Sequence, residues 1–391
     1  MDSFNLTDVW RVLNEDKTRF TWRGFTKISH VSSRLDYWLV STHMLYDLEE
    51  TDILPSIKTD HSLIRIIFEL KDGNERGRGF WKFNHSLLKD LSFVEKVKTF
   101  LQNCSAKYKI IENKALVWDA IKCEIRGIAI SYAILKSKKN RKYIEELKQE
   151  LVTLEIKLDN NEEVLERYNS VKLELEKNEE EILKGLMVRS RAKWIEDGEK
   201  CSKYFFQLEK KNYKTKCIRT LFKEEQRISD PKQILEECQN FYVNLYTETK
   251  TEKNTHSGNL FQNTHPTLSE NEKSICEAKI TLNECFNSIK ELPNNKSPGS
   301  DGISTEFYKF IWDDIQIFLL DSYVYSFENN LLSLEQQRAV LTLIPKARKD
   351  IRYLKNWTPI SLLNTDYKIL AKILANRIQK VMPKVETLAI I

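Results

Sequence analysis

Glycine and proline are scarce in this chain, at 10 and 8 of 391 residues. Both residues make turns and break helices, so their shortage excludes a loop-rich architecture and favours long helices. The seven cysteines are odd in number and form no Cys-x-x-Cys pair, which excludes a zinc ribbon and a disulfide framework. A reducing compartment is implied, so the expected location is intracellular, in cytoplasm and/or nucleus, and not secreted. The opening MDSFNLTDVWRVLNEDK is polar and acidic, unlike a secretory leader. No apolar run approaches about twenty residues, so no membrane partner is expected. One-sided charge is missing too: 62 basic against 57 acidic residues leave a net +5. That balance says little about partners, because nucleic-acid binders concentrate charge locally.

What is present is a 41% hydrophobic, 30% charged chain long enough for two or three domains. The patterning predicts an α+β, predominantly helical fold. Residues 1–70 read as short strands and loops. Within them Arg34–Val40 alternates, with Leu35, Tyr37 and Leu39 on one face, and Ser62–Phe68 is a more continuously apolar strand. Residues 71–110 read as linker, opening on a glycine-bearing stretch that could be a hairpin. Residues 111–246 form a helical connector. Its clearest part, Tyr143–Leu186, carries Ile144, Leu147, Leu151, Leu154, Leu158, Leu165, Tyr168, Leu175, Ile182 and Leu186 at three-four spacing. Asp159–Asn161 could cap a second helix there, with Glu163 in its first turn, making a helical hairpin; one long solvated helix is the alternative. Residues 247–266 read as a polar loop. In 267–391, Ser269 and Glu272 form a capping box, helices cover Glu306–Phe327 and Asp366–Val381, and Val340–Ile344 is a strand. Ile369, Leu370, Ile373, Leu374 and Ile378 make the apolar face of that last helix, with lysine and arginine outside.

Three groups of residues could carry chemistry. In the first, Asp36 could hold the far ring nitrogen of His61 and fix its tautomer, while Asp60 orients a water or supports a metal. On spacing alone, His61 is better read as a surface histidine, since an Asp-His dipeptide is common. In the second, Arg189, Arg191, Lys200 and Lys203 interleave with Trp194 and Phe205, a pattern for neutralising phosphates and stacking on unpaired bases. An amphipathic helix with core aromatics would look the same. The third is the proline-glycine turn Asn295–Gly302, which presents Lys296 and Asp301 and could offer backbone N–H groups and a cation to a phosphate chain. An ordinary turn leading into a helix fits it equally.

Thr21-Trp22-Arg23, Arg34-Leu-Asp-Tyr37 and Thr59-Asp-His-Ser62, in this order, resemble the last motifs of exonuclease III-like endonucleases. The resemblance implies that 1–70 is the end of a four-layer α/β sandwich. In it Asp36 orients His61, Asp60 belongs to the hydrolytic centre, and Thr21 and Trp22 lie at the DNA-facing rim. Arg189-x-Arg-x-x-Trp194 and Gly198-Glu-Lys-Cys-Ser-Lys-Tyr-Phe205 resemble the segment between endonuclease and polymerase in non-LTR retrotransposons of the long interspersed element type. Asn295–Lys309, Leu343-Ile-Pro-Lys346, Asn356–Asn364 and Asp366–Lys372 resemble the first blocks of the reverse transcriptase in the same elements, the fingers of a right-handed polymerase. The resemblance implies that Lys346 approaches an incoming triphosphate; Thr358 stands where the family has arginine. RNA template and DNA target are the partners it implies, and magnesium is the parent's cofactor. The family's other metal ligands would lie beyond both ends, so no tightly bound metal, cleavage or polymerisation is expected of this stretch alone. The alternatives are a non-enzymatic RNA- or DNA-binding protein and a coiled-coil interaction protein; oligomeric state stays open.

Overall fold

The computed structural model describes residues 5–25, 30–55, 57–69, 80–160, 163–190, 217–224, 226–247 and 268–389, with backbone alone at 25, 30, 186–190 and 383–389. The first half contains β1 (Leu6–Asp8), α1 (Val9–Leu13), β2 (Trp22–Phe25), β3 (His30–Ser33), β4 (Leu39–Ser41), β5 (Leu48–Leu54), β6 (Leu63–Phe68), α2 (Leu91–Lys107), α3 (Lys114–Asp159) and α4 (Leu165–Ser190). The second half contains β7 (Leu221–Lys223), β8 (Gln226–Ile228), α5 (Pro231–Tyr246), α6 (Glu270–Glu277), α7 (Leu282–Glu291), α8 (Thr305–Phe310), α9 (Trp312–Glu328), α10 (Leu334–Gln337), β9 (Ala339–Pro345), β10 (Trp357–Leu363) and α11 (Thr365–Ala389). The fold is α+β and predominantly helical. It divides into two units, each made from two stretches of chain: Met1–Gly79 with Leu135–Lys214, and Phe80–Ile134 with Thr215–Ile391. The 46-residue α3 contributes to both.

In the first unit the strands pair antiparallel as β1–β4, β2–β3 and β5–β6. The alternating stretch 34–40 is a strand only at its end. Thr21, fully buried, accepts hydrogen bonds from the amides of Leu35 and Asp36 at 2.9 and 3.0 Å, diverting that backbone from a ladder. Leu35 and Tyr37 are consequently exposed. Thr21 is therefore a buried clamp and not a rim residue.

Beside the strands, α3 and α4 form the helical hairpin. Leu147, Leu151, Leu154 and Leu158 of α3 interlock with Tyr168, Val171 and Leu175 of α4. Arg167 grips Glu150 with two N–H groups at 2.6 and 2.9 Å, and one heptad along each helix Tyr143 donates to Glu174. The middle of the apolar seam is thus consumed within the chain, while Leu165 and Ile182 are exposed. The turn differs from expectation: the Asp159 carboxylate accepts from Arg23 at 3.3 and 3.1 Å and from Ser32 at 2.6 Å, and Glu163 precedes the second helix instead of lying in its first turn.

The second unit is built on a larger core, in which Phe93, Trp118, Ile121, Phe307, Tyr323 and Ile369 are buried. Part of the stretch read as linker lies in this core. Val97, Leu101 and Cys104 space one face of α2 at three-four intervals and are buried with Phe83 and Leu87. β9 and β10 pair antiparallel from Trp357↔Pro345 to Leu363↔Ala339. The capping box at Ser269 forms as expected, with Glu272 accepting from the Ser269 amide at 2.8 Å. In α11, Ile369, Leu370 and Ile373 face inward, but Ile378 is exposed and Arg377 is buried. Arg377 turns inward because Glu284, at 2.7 Å, and the carbonyls of Cys276, Ala278 and Lys279 accept its N–H groups. Among the described residues no helix is long and apolar enough to cross a membrane.

Candidate nucleic-acid interface

The front motifs converge. His61 lies two residues before β6 and Asp36 sits in the loop clamped by Thr21, so His61 Nδ1 lies 2.8 Å from Asp36 Oδ2. The contact holds the imidazole pKa above its ordinary 6.5 and the Asp36 carboxyl below its ordinary range. With Nδ1 engaged, Nε2 is left for a second partner, and both side chains are well exposed. Asp60 is a separate arm. The Trp22 indole N–H donates to its Oδ2 at 2.9 Å and holds this exposed carboxyl below the usual range. A bridge between Trp22 and His61 and the Arg23 amide donating to the Asp60 carbonyl at 3.1 Å fix β2 beside the Thr59–Ser62 turn.

Behind this surface lies an ionic network that sequence reading missed. Arg23 is buried and meets Asp159 at 3.1 Å, Glu155 at 3.5 Å and the Ser62 hydroxyl at 3.2 Å. Arg19 reaches Glu155 at 3.0 Å. Burial raises the Glu155 pKa, against the lowering pull of Arg23 and Arg19. Unpaired, a buried carboxylate costs several kcal/mol, so the two arginines are the condition for placing it there. Arg23 was visible beside Trp22; nothing in the sequence marked Glu155 as its partner.

Of the basic-aromatic segment, Arg189 lies on the last turn of α4, where only the backbone is described, and Arg191, Trp194, Lys200, Lys203 and Phe205 lie outside the described residues. The polar loop 247–266, after Thr247, and the glycine-bearing opening of the expected linker lie outside them as well.

The Asn295–Gly302 turn is exposed at one end and locked at the other. Lys296 is exposed. Asp301 is not presented at all, contrary to expectation: it is buried, its Oδ1 accepting the Ile303 amide at 2.9 Å. Its Oδ2 lies 3.8 Å from the ammonium of buried Lys122, which also meets Asp366 at 2.7 Å and Asp119 at 3.0 Å. Burial and the neighbouring Asp366 push the Asp301 carboxyl up to about 7. Burial alone would pull the Lys122 ammonium down, but the charges of Asp366, Asp301 and Asp119 hold it above its ordinary range. Two glycines make this closeness possible. A Cβ on Gly299 would fall 2.2 Å from Asn364 Oδ1, and Gly302 has φ +74° with the Trp81 ring where a Cβ would go. Lys346 stands exposed at the end of the β9–β10 ladder, its ammonium donating to the Lys355 carbonyl at 2.9 Å, and Thr358, on the facing strand, is also exposed.

The described carboxylates of these sites do not fit a magnesium ion. Asp36 and Asp60 are turned to His61 and Trp22, and the three aspartates of the second unit already surround a lysine ammonium. Among the described residues no group of three or more His, Cys, Asp or Glu side chains is placed to hold a metal ion.

Nearly the whole of this chain is matched by a known protein. The chain is similar to a transposon protein. It is 32% identical over 390 residues to the Transposon TX1 uncharacterized 149 kDa protein of Xenopus laevis, a match covering 98% of this chain and 29% of that protein. The chain therefore spans less than a third of that relative's length. No family model matches it.

Proposed function

We propose that this chain is the part of a retrotransposon polyprotein joining an exonuclease III-like endonuclease to a reverse transcriptase, and that its own activity is to bind nucleic acid. The observation carrying this reading is the near end-to-end similarity to a transposon protein. The Asp36–His61 pair supports the endonuclease side: an imidazole held at Nδ1 offers Nε2 to a phosphate oxygen. The glycine-locked turn bearing Lys296, and Lys346 with its free surface, support the polymerase side as cationic contacts to a phosphate chain. On this reading Arg189, Arg191, Lys200 and Lys203, with Trp194 and Phe205, contact the RNA template. Asp36 and Asp301 engage protein partners, and on this reading strand cleavage and nucleotide addition fall to other parts of the parent, which carry the remaining metal ligands.

The test is binding of labelled single-stranded RNA and DNA across a salt series. Phosphate-driven affinity falls linearly in log–log form, with a slope of about −0.7 per phosphate neutralised on single strands. A slope near zero, or no binding at all, would remove the reading. Primer extension with magnesium, template and nucleotides is expected to give no product.

A further inference from the structure

The first unit holds a cleft of about 500 Å³ that the Asp36–His61 pair does not use. One wall is the turn between β5 and β6, with Lys58, Asp60 and Ser62; the other is the helical hairpin, with Tyr168 and Lys172. Three features of these walls ask for a ligand. Tyr168 is packed into the hairpin at 4% exposure and lines the cleft, and among the described residues no protein group bonds its hydroxyl, which leaves that donor open to the cleft. Lys172 is half-buried and gives one N–H to the Thr59 carbonyl at 3.1 Å; an ammonium has three to give. Among the described residues Lys58 meets Glu176 at 3.9 Å, a surface pair that contributes little.

Deeper in the cleft Arg19 and Arg23 are matched closely by Glu155 and Asp159, whereas Lys58 and Lys172 face Glu176 and Asp60 more loosely and keep donors directed to the open space. Asp60 opposes them, but the Trp22 indole draws its Oδ2 aside. Two ammonium groups and a hydroxyl donor around one space form a donor set for a compact anion with several acceptor oxygens.

We propose that this cleft binds a phosphate group of a nucleic-acid strand, through Lys58, Lys172 and the Tyr168 hydroxyl. The hairpin then does more than cover the β-strands: it supplies half of a binding site. The proposal rests on the nucleic-acid reading above and extends it to residues outside every motif that carried that reading.

The experiment uses the full chain and a fluorescein-labelled oligothymidylate, followed by anisotropy across a salt series. The variants are the double Lys58→Met/Lys172→Met, Tyr168→Phe, and Lys142→Met, a control at an exposed position on α3. The double variant is expected to bind about tenfold or more weakly, with a salt slope shallower by about one to two phosphates. Tyr168→Phe keeps the ring in the hairpin core and is expected to weaken binding several-fold, and it decides the matter if circular dichroism shows the double variant misfolded. Lys142→Met is expected to match the wild type. Wild-type affinity and slope in both cleft variants would overturn the cleft while leaving nucleic-acid binding intact. If the wild type binds no oligonucleotide, line broadening of inorganic phosphate in phosphorus NMR decides. Broadening by the wild type that the variants lose assigns the cleft to free phosphate; its absence overturns the site.

Discussion

Each unit carries one motif site built on charge, and the two sites are built in opposite ways. In the first, His61 and Asp36 meet at the surface, 45% and 37% exposed, and the imidazole keeps a ring nitrogen for an outside partner. In the second, Lys122 sits 2% exposed among Asp119, Asp301 and Asp366, and the Trp118 indole donates to the same Asp366 oxygen at 2.9 Å. A solvated pair costs little to form and contributes little to stability. A dehydrated cluster is expensive to create and more so to break, because each member left alone is an unpaired buried charge. The first is thus suited to meeting a ligand, and the second to holding a turn in place. A charged residue beside a glycine-rich turn can belong to either kind.

The contrast can be broken hardest at Lys122. Replacement by Met leaves three aspartates without their cation and is expected to cost about 3–5 kcal/mol, read as a drop in urea midpoint. A loss below about 1 kcal/mol would put Lys122 among the solvated pairs. Leu151→Ala, at a fully buried hairpin position, is expected to cost about 2–5 kcal/mol and to act on the first unit. Limited proteolysis separates the two cases by which unit is cut first. Gly299→Ala places a methyl against the Asn364 side chain and backbone and is expected to cost about 1–3 kcal/mol, with tryptophan fluorescence as the monitor.

The smallest effect belongs to the exposed pair and concerns pH. His61 has a folded-state pKa raised above 6.5, so its stabilisation is complete below that value and lost as pH rises through the raised one. Asp36 is lowered below 3.8, so its share is present above that value and lost as pH falls through the lowered one. The pair therefore acts in the window between them. An NMR titration should place the His61 midpoint above 6.5, and Asp36→Asn should return it towards 6.5. A midpoint unmoved by that substitution would show that the contact is not made in solution.

How much of this was legible in the sequence depended on the range of the interaction. The capping box at Ser269–Glu272 spans one turn and could be read directly. The hairpin followed from three-four spacing, because helix pairing needs only a repeated apolar face. The Asp36–His61 contact was readable through motif order, which stood in for the missing distance. Asp301 was misread for the opposite reason. Its partner Lys122 lies in Trp118-Asp-Ala-Ile-Lys122, an unremarkable helical stretch, and no local pattern tells a buried lysine from a solvated one. Thr21 and Arg377 failed in the same way, since their partners come from distant segments.

One consequence follows from the interleaving of the two units along the chain. A ribosome delivers residues vectorially, at about 5–20 per second. The β-strands of the first unit emerge well before Glu155 and Asp159, with residues 80–134 of the other unit made in between. Until the hairpin is translated, Arg23 has neither acidic partner and its strands lack their helical cover. Completion of the amino-terminal unit is therefore a late event in biosynthesis, and a nascent chain stalled near residue 130 would display that unit's strands bare.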